Sequence, residues 1–89
     1  MKKACRIRIS GQVHGVGFRV NARHKAIELG LTGFARNLPD GSLEIDIEGE
    51  EATLKQFLDW CHDGPQSASV TNVSVTNQES QGYQEFSIN

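Results

Sequence analysis

Two short segments share one binary pattern and carry opposite charge, and together they restrict the possible folds more than any other feature of the chain. Cys5-Arg6-Ile7-Arg8-Ile9 alternates apolar with basic residues, and Leu43-Glu44-Ile45-Asp46-Ile47-Glu48 alternates apolar with acidic ones. A period of two describes a strand with one face on a core and the other polar. Laid side by side, these strands set Arg6 and Arg8 against Glu44, Asp46 and Glu48, a register that opposite charges favour. They are the first and third strands of the chain and are expected in the middle of its sheet.

The remaining elements follow from spacing. Phe18, Ala22, Ala26 and Leu29 recur at helical intervals, and Gly30 sits where a helix ends. Leu31 to Leu38 reads as the second strand, and Pro39-Asp40-Gly41 as the turn into the third. Gly49 is read as the break after that strand. Leu54, Phe57, Leu58 and Cys61 mark a second amphipathic helix, stopped by Asp63-Gly64-Pro65. Val70 to Val75 reads as a strand with an irregularity, because Val70 is out of phase with Val73 and Val75. Tyr83 to Ile88 reads as a short last strand. The order β-α-β-β-α-β predicts an α+β fold, the ferredoxin-like split β-α-β sandwich: an antiparallel sheet with two helices on one face. Residues 1–89 are expected to form a single domain with a small core.

The net charge of −2 conceals an uneven distribution. Seven of the nine Lys and Arg lie in residues 1–27, where there is no Asp or Glu, and all eleven acids lie between Glu28 and Glu85. Cross-strand pairing accounts for Arg6 and Arg8, while the first third as a whole still attracts anions. A nucleic-acid binder is more often basic overall, so no nucleic-acid partner is expected. No long apolar run follows the basic start, so neither a signal peptide nor a membrane span is expected and a cytoplasmic location is. In that compartment Cys5 and Cys61 read as buried thiols rather than a bridge.

Between the first strand and the first helix stands Gly11-Gln12-Val13-His14-Gly15-Val16-Gly17-Phe18-Arg19. Its glycines allow consecutive N–H groups to converge on one concavity, and the helix start adds further amides. Arg19, at the junction, carries a planar fork of donors suited to phosphate. The stretch therefore reads as an anion-binding loop for a phosphoryl group. Arg23, one turn on, reads as a solvated helix residue. Asn37, at the end of the second strand, has two readings: its amide can cap the turn, or it can hold a water by donating and accepting at once. His14, His24 and His62 have no metal-ligand spacing, so no metal is expected. The loop lacks the Gly-Lys-Ser/Thr ending of a nucleotide-binding loop.

The chain resembles the acylphosphatases. The stretch 11–19 is similar to the family's Gly-x-Val-Gln-Gly-Val-x-Phe-Arg loop, and Gly33-Phe34-Ala35-Arg36-Asn37 with Gly49 is similar to its Gly-aromatic-small-basic-Asn…Gly signature. His14 stands where the family usually has glutamine, and Leu43 where it usually has valine. The resemblance implies metal-independent hydrolysis of the carboxyl-phosphate bond of acyl phosphates, without cofactor. It places the phosphate loop at residues 13–19, the phosphate-binding arginine at Arg19 and the water-orienting asparagine at Asn37. With backbone amides binding the phosphate, the His14 ring is expected to leave activity intact. The implied partners are a small-molecule acyl phosphate and the inorganic phosphate released from it, and a monomer is expected. The alternative is a non-catalytic anion-, ligand- or RNA-binding module of the same fold; an RNA binder would show exposed aromatics on its central strands.

Overall fold

A computed structural model describes residues 1–89, in the order β1 (Lys2–Gln12), α1 (Phe18–Glu28), β2 (Thr32–Asn37), β3 (Leu43–Glu50), α2 (Glu51–Asp63), β4 (Ser69–Gln78) and β5 (Phe86–Ile88). The sheet runs β4-β1-β3-β2-β5. β1 and β3 pair antiparallel with Arg6 opposite Asp46 and Arg8 opposite Glu44, the register expected from their charges. The β2–β3 and β1–β4 pairs are also antiparallel. β5 lies parallel to β2, so the sheet is mixed rather than wholly antiparallel.

One face of the sheet carries Cys5, Ile7, Ile9, Ala35, Leu43, Ile45, Ile47 and Phe86, all buried together with Phe18, Ala22 and Ala26 of α1 and Leu54, Phe57 and Cys61 of α2. The cysteines are free, and both lie in this core. Burial, with the Asp46 charge adding to it, pushes the Cys5 thiol up to about 11. Burial raises Cys61 further.

Helix ends and strand irregularities follow the sequence closely. The N–H groups of Gly30 and Leu31 donate to the carbonyls of Ile27 and Ala26, the paired bonds that close a helix on a glycine at C′. The register of β4 on β1 shifts between Ser10 and Gly11, which explains the phase change at Val70. Gly49 does not break β3, which continues to Glu50. Its missing Cβ instead leaves room for the Leu31 side chain, which comes closer than a methyl group would allow. The last strand is shorter than expected, and Tyr83 precedes it.

The polar face of β3 is not open. Glu44, Asp46 and Glu48 are 4%, 0% and 7% exposed. Arg6 grips Asp46 with two bonds, Nε to Oδ1 at 2.8 Å and Nη2 to Oδ2 at 3.2 Å. Arg36 holds Glu44, Nε to Oε1 at 2.8 Å. The segment between β4 and β5 then folds over them. The Tyr83 hydroxyl donates to Asp46 at 2.8 Å, and Glu48 accepts from Ser80 Oγ and from the N–H groups of Gln81, Gly82 and Tyr83. Tyr83 also stacks edge-on against Phe34, and Arg36 lies over the Phe34 ring. A buried carboxylate is tolerated only when paired and hydrogen-bonded in this way.

Burial would raise the Asp46 carboxyl, but the bonds from Arg6 and Tyr83 outweigh it and hold the group below the ordinary carboxylate range. Its share of stability is therefore present at neutral pH and lost as acid protonates it. Asp46→Asn is expected to cost about 2–3 kcal/mol at pH 7, the range for hydrogen bonds to a charged group. In urea unfolding, the gap from the wild type should narrow once the pH falls below about 4. A gap unchanged down to low pH would contradict this role.

Candidate active site

Core burial, one ring contact and two hydrogen bonds pin the loop at residues 13–17 and its exit at Phe18. Val13 and Phe18 are buried at 2% and 1% exposure. Phe18 meets Trp60 of α2 edge-on, with ring centroids 5.4 Å apart. The Val16 carbonyl accepts from Ser67 Oγ at 2.9 Å. The His14 ring leaves the loop and reaches Ser42, its Nε2 lying 2.8 Å from the Ser42 carbonyl oxygen. This contact spans 28 residues of sequence.

Gly15 and Gly17 have φ values of 69° and 75°. Left-handed residues of this kind let successive N–H groups face one side, an arrangement suited to an anion. None of the N–H groups of His14, Gly15, Val16 and Gly17 donates within the chain. Gly17 is also the N-cap of α1, and it supplies no side-chain cap. The first-turn amides of the helix and its positive end add to the same locus. No acidic residue occupies that first turn.

Arg19, half-buried in the first turn of α1, donates from Nη1 to the main-chain oxygen of Asn89 at 3.0 Å. The Asn89 N–H in turn donates to Ala35 at 2.9 Å. The guanidinium is thus tied to β2 two residues before Asn37. Ala35 is wholly buried on the helix side of the sheet, and Asn37, two residues on, shares that face. Arg23 is exposed, as a solvated helix residue should be.

Asn37 ends β2 and lies opposite Leu43 of β3. It does not cap the turn that follows. Asp40 does so, its Oδ1 accepting from Ser42 N at 2.9 Å and Ser42 Oγ at 2.6 Å. Those bonds hold the exposed Asp40 carboxyl below its ordinary value. Asn37 Oδ1, by contrast, is buried and has no hydrogen-bond partner in the chain. The loop, Arg19 and Asn37 therefore come to one end of the sheet. A cavity of about 480 Å³ lies at the other end, lined by residues that include Lys2, Lys3, Glu48, Gln78 and Tyr83. No helix is long and apolar enough to cross a membrane.

The fold is a split β-α-β sandwich of the α+β class, with a glycine loop, an arginine and an unsatisfied asparagine at one end of its sheet. The acylphosphatase family model matches residues 5–88. Over 78 residues the chain is 51% identical to an acylphosphatase of Marinobacter nauticus, covering 88% of this chain and 83% of that one. An acylphosphatase structure from Coxiella burnetii superposes with a TM-score of 0.95 at 34% identity, covering 99% and 93% of the two chains. That from Bacillus subtilis does so at 0.94 and 38%, covering 100% and 99%. The chain belongs to the acylphosphatase family, and its activity is acyl phosphate hydrolysis.

The loop geometry makes a direct prediction. In an NMR titration, inorganic phosphate should shift the amides of residues 15–19 and the Arg19 guanidinium most. Larger shifts at Lys2, Lys3 and Gln78 would place the anion in the distant cavity instead.

Proposed function

We propose that the chain hydrolyses acyl phosphates without a metal ion, holding the phosphoryl group on Arg19 and on the amides of the loop 13–19 other than that of Val13, which donates to the Gly11 carbonyl, and directing a water with Asn37. The observation that carries this reading is the buried Asn37 Oδ1 with no partner. An unmade hydrogen bond at a buried oxygen costs about 1–3 kcal/mol, so the site is built for a molecule that supplies the donor. Water does so, and the amide N–H₂ can orient the same water by donating to it or to a phosphoryl oxygen.

The chemistry needs little more. Water oxygen attacks phosphorus as the bond from phosphorus to the acyl oxygen breaks and the carboxylate departs. A carboxylate leaves well without a general acid. One phosphoryl oxygen takes the proton from the water: the loop and Asn37 offer no carboxylate, and the loop's one imidazole, His14, is engaged with the Ser42 carbonyl. Charge on the equatorial oxygens is met by preorganised amides and by the guanidinium, which costs no reorganisation during reaction. No three His, Cys, Asp or Glu side chains are grouped as a metal would need.

Benzoyl phosphate hydrolysis by Asn37→Ala, with and without EDTA, tests this account. kcat should fall by about 10²-fold with little change in KM, because the asparagine acts on the water rather than on bound phosphate. EDTA should change neither enzyme. Near-normal turnover in the variant, or a chelator-sensitive wild type restored by added metal, would overturn the proposal.

A further inference from the structure

We infer that His14 is a positioning residue: its ring is a strut that sets the phosphate loop in register with Asn37. The inference rests on the roles proposed above for the loop and Asn37. Two contacts meet at one carbonyl. The Ser42 oxygen accepts from His14 Nε2 at 2.8 Å and from the Leu38 N–H at 2.8 Å. Leu38 directly follows Asn37, so the peptide that carries the asparagine shares its acceptor with the loop histidine.

That acceptor is itself fixed. Ser42 is 5% exposed, and both its N–H and its hydroxyl donate to Asp40 Oδ1. The Gly41 N–H closes the same turn on the Leu38 carbonyl. With both lone pairs of the Ser42 carbonyl engaged, the turn has one rigid arrangement, and the ring transmits it to the loop. The loop's other anchors, Val13, Phe18 and Val16, tie it to the core and to Ser67. Only His14 ties it to the turn after Asn37.

The chemistry of the contact fixes the state of the ring. A carbonyl oxygen only accepts, so Nε2 carries the proton, and a neutral His14 is the Nε2–H tautomer with Nδ1 as acceptor. Glutamine also places a donor nitrogen at the ε position, so it can make the same bond. Phosphate held by the loop and a water held by Asn37 must be in line, and misplacement of one half by about 1 Å is enough to cost on the order of 10²-fold in rate. Binding of phosphate uses the loop half alone.

His14→Ala should therefore lower kcat for benzoyl phosphate by on the order of 10- to 100-fold, with KM and inhibition by inorganic phosphate nearly unchanged. His14→Gln should restore kcat. In an Asn37→Ala background His14→Ala should add less than about twofold, since its effect passes through the asparagine. NMR of the wild-type ring should show the Nε2–H form when neutral, a readout that stands even if the alanine variant fails to fold. Wild-type kcat in His14→Ala, a loss that glutamine does not restore, full additivity with Asn37→Ala, or an Nδ1–H ring would each overturn the inference. A slow Asn37→Ala enzyme beside a normal His14→Ala enzyme would leave the role of Asn37 standing and remove only the strut.

Discussion

The antiparallel pairing of β1 with β3 puts Ile9 opposite Leu43, so the chain leaves β1 beside the turn that enters β3. Everything at the site depends on that adjacency. The glycine loop grows from the end of β1, and Asn37 sits on β2 at the other side of the same turn. Because β1 and β3 share a buried apolar face, a slip of β1 by one residue would turn Ile7 to the polar side and Arg6 into the core. The register is therefore held by burial and charge together, and the geometry of the site is inherited from it.

The polar face does a second task. Arg6 and Arg36 neutralise Asp46 and Glu44, and the segment from Ser80 to Tyr83 closes over Asp46 and Glu48. Burial of charge is not a cheap route to stability, and breaking such a group costs more than making it gains. What the arrangement supplies is direction: Glu48 collects three consecutive main-chain N–H groups of the segment that leads to β5. β5 then lies on β2, and Asn89 after it meets both Ala35 and Arg19. The anchoring of the arginine is thus linked to a carboxylate on the far face of the sheet.

Much of this was legible in the sequence because it is local. Alternation around Cys5–Ile9 and Leu43–Glu48 identified two strands and their partnership, helical spacing identified α1 and α2, and the phase change at Val70 identified a bulge. Two long motifs separated by a short helix and strand located Arg19 and Asn37. What was illegible arises between distant residues. Gly49 reads as a breaker until Leu31 is seen to need its space. Acidic residues at period two read as a polar face paired with Arg6 and Arg8, and nothing in that pattern shows that Tyr83 and Ser80 cover Asp46 and Glu48. The missing partner of Asn37 Oδ1 and the reach of His14 to Ser42 depend on a turn whose capping by Asp40 no pattern of residue types reveals.

The central claim is that one oriented guanidinium, rather than a general positive field, stabilises the phosphoryl group. Arg19→Lys keeps the charge and the position in α1 but loses the planar pair of donors. Steady-state kinetics of Arg19→Lys beside Arg23→Lys, with thermal unfolding as a check on folding, tests the claim most directly. The account predicts that Arg19→Lys loses several kcal/mol of transition-state stabilisation, about 10²-fold or more in kcat/KM, at nearly unchanged thermal stability, while Arg23→Lys is silent. Equal losses at the two positions, or a normal Arg19→Lys enzyme, would contradict it.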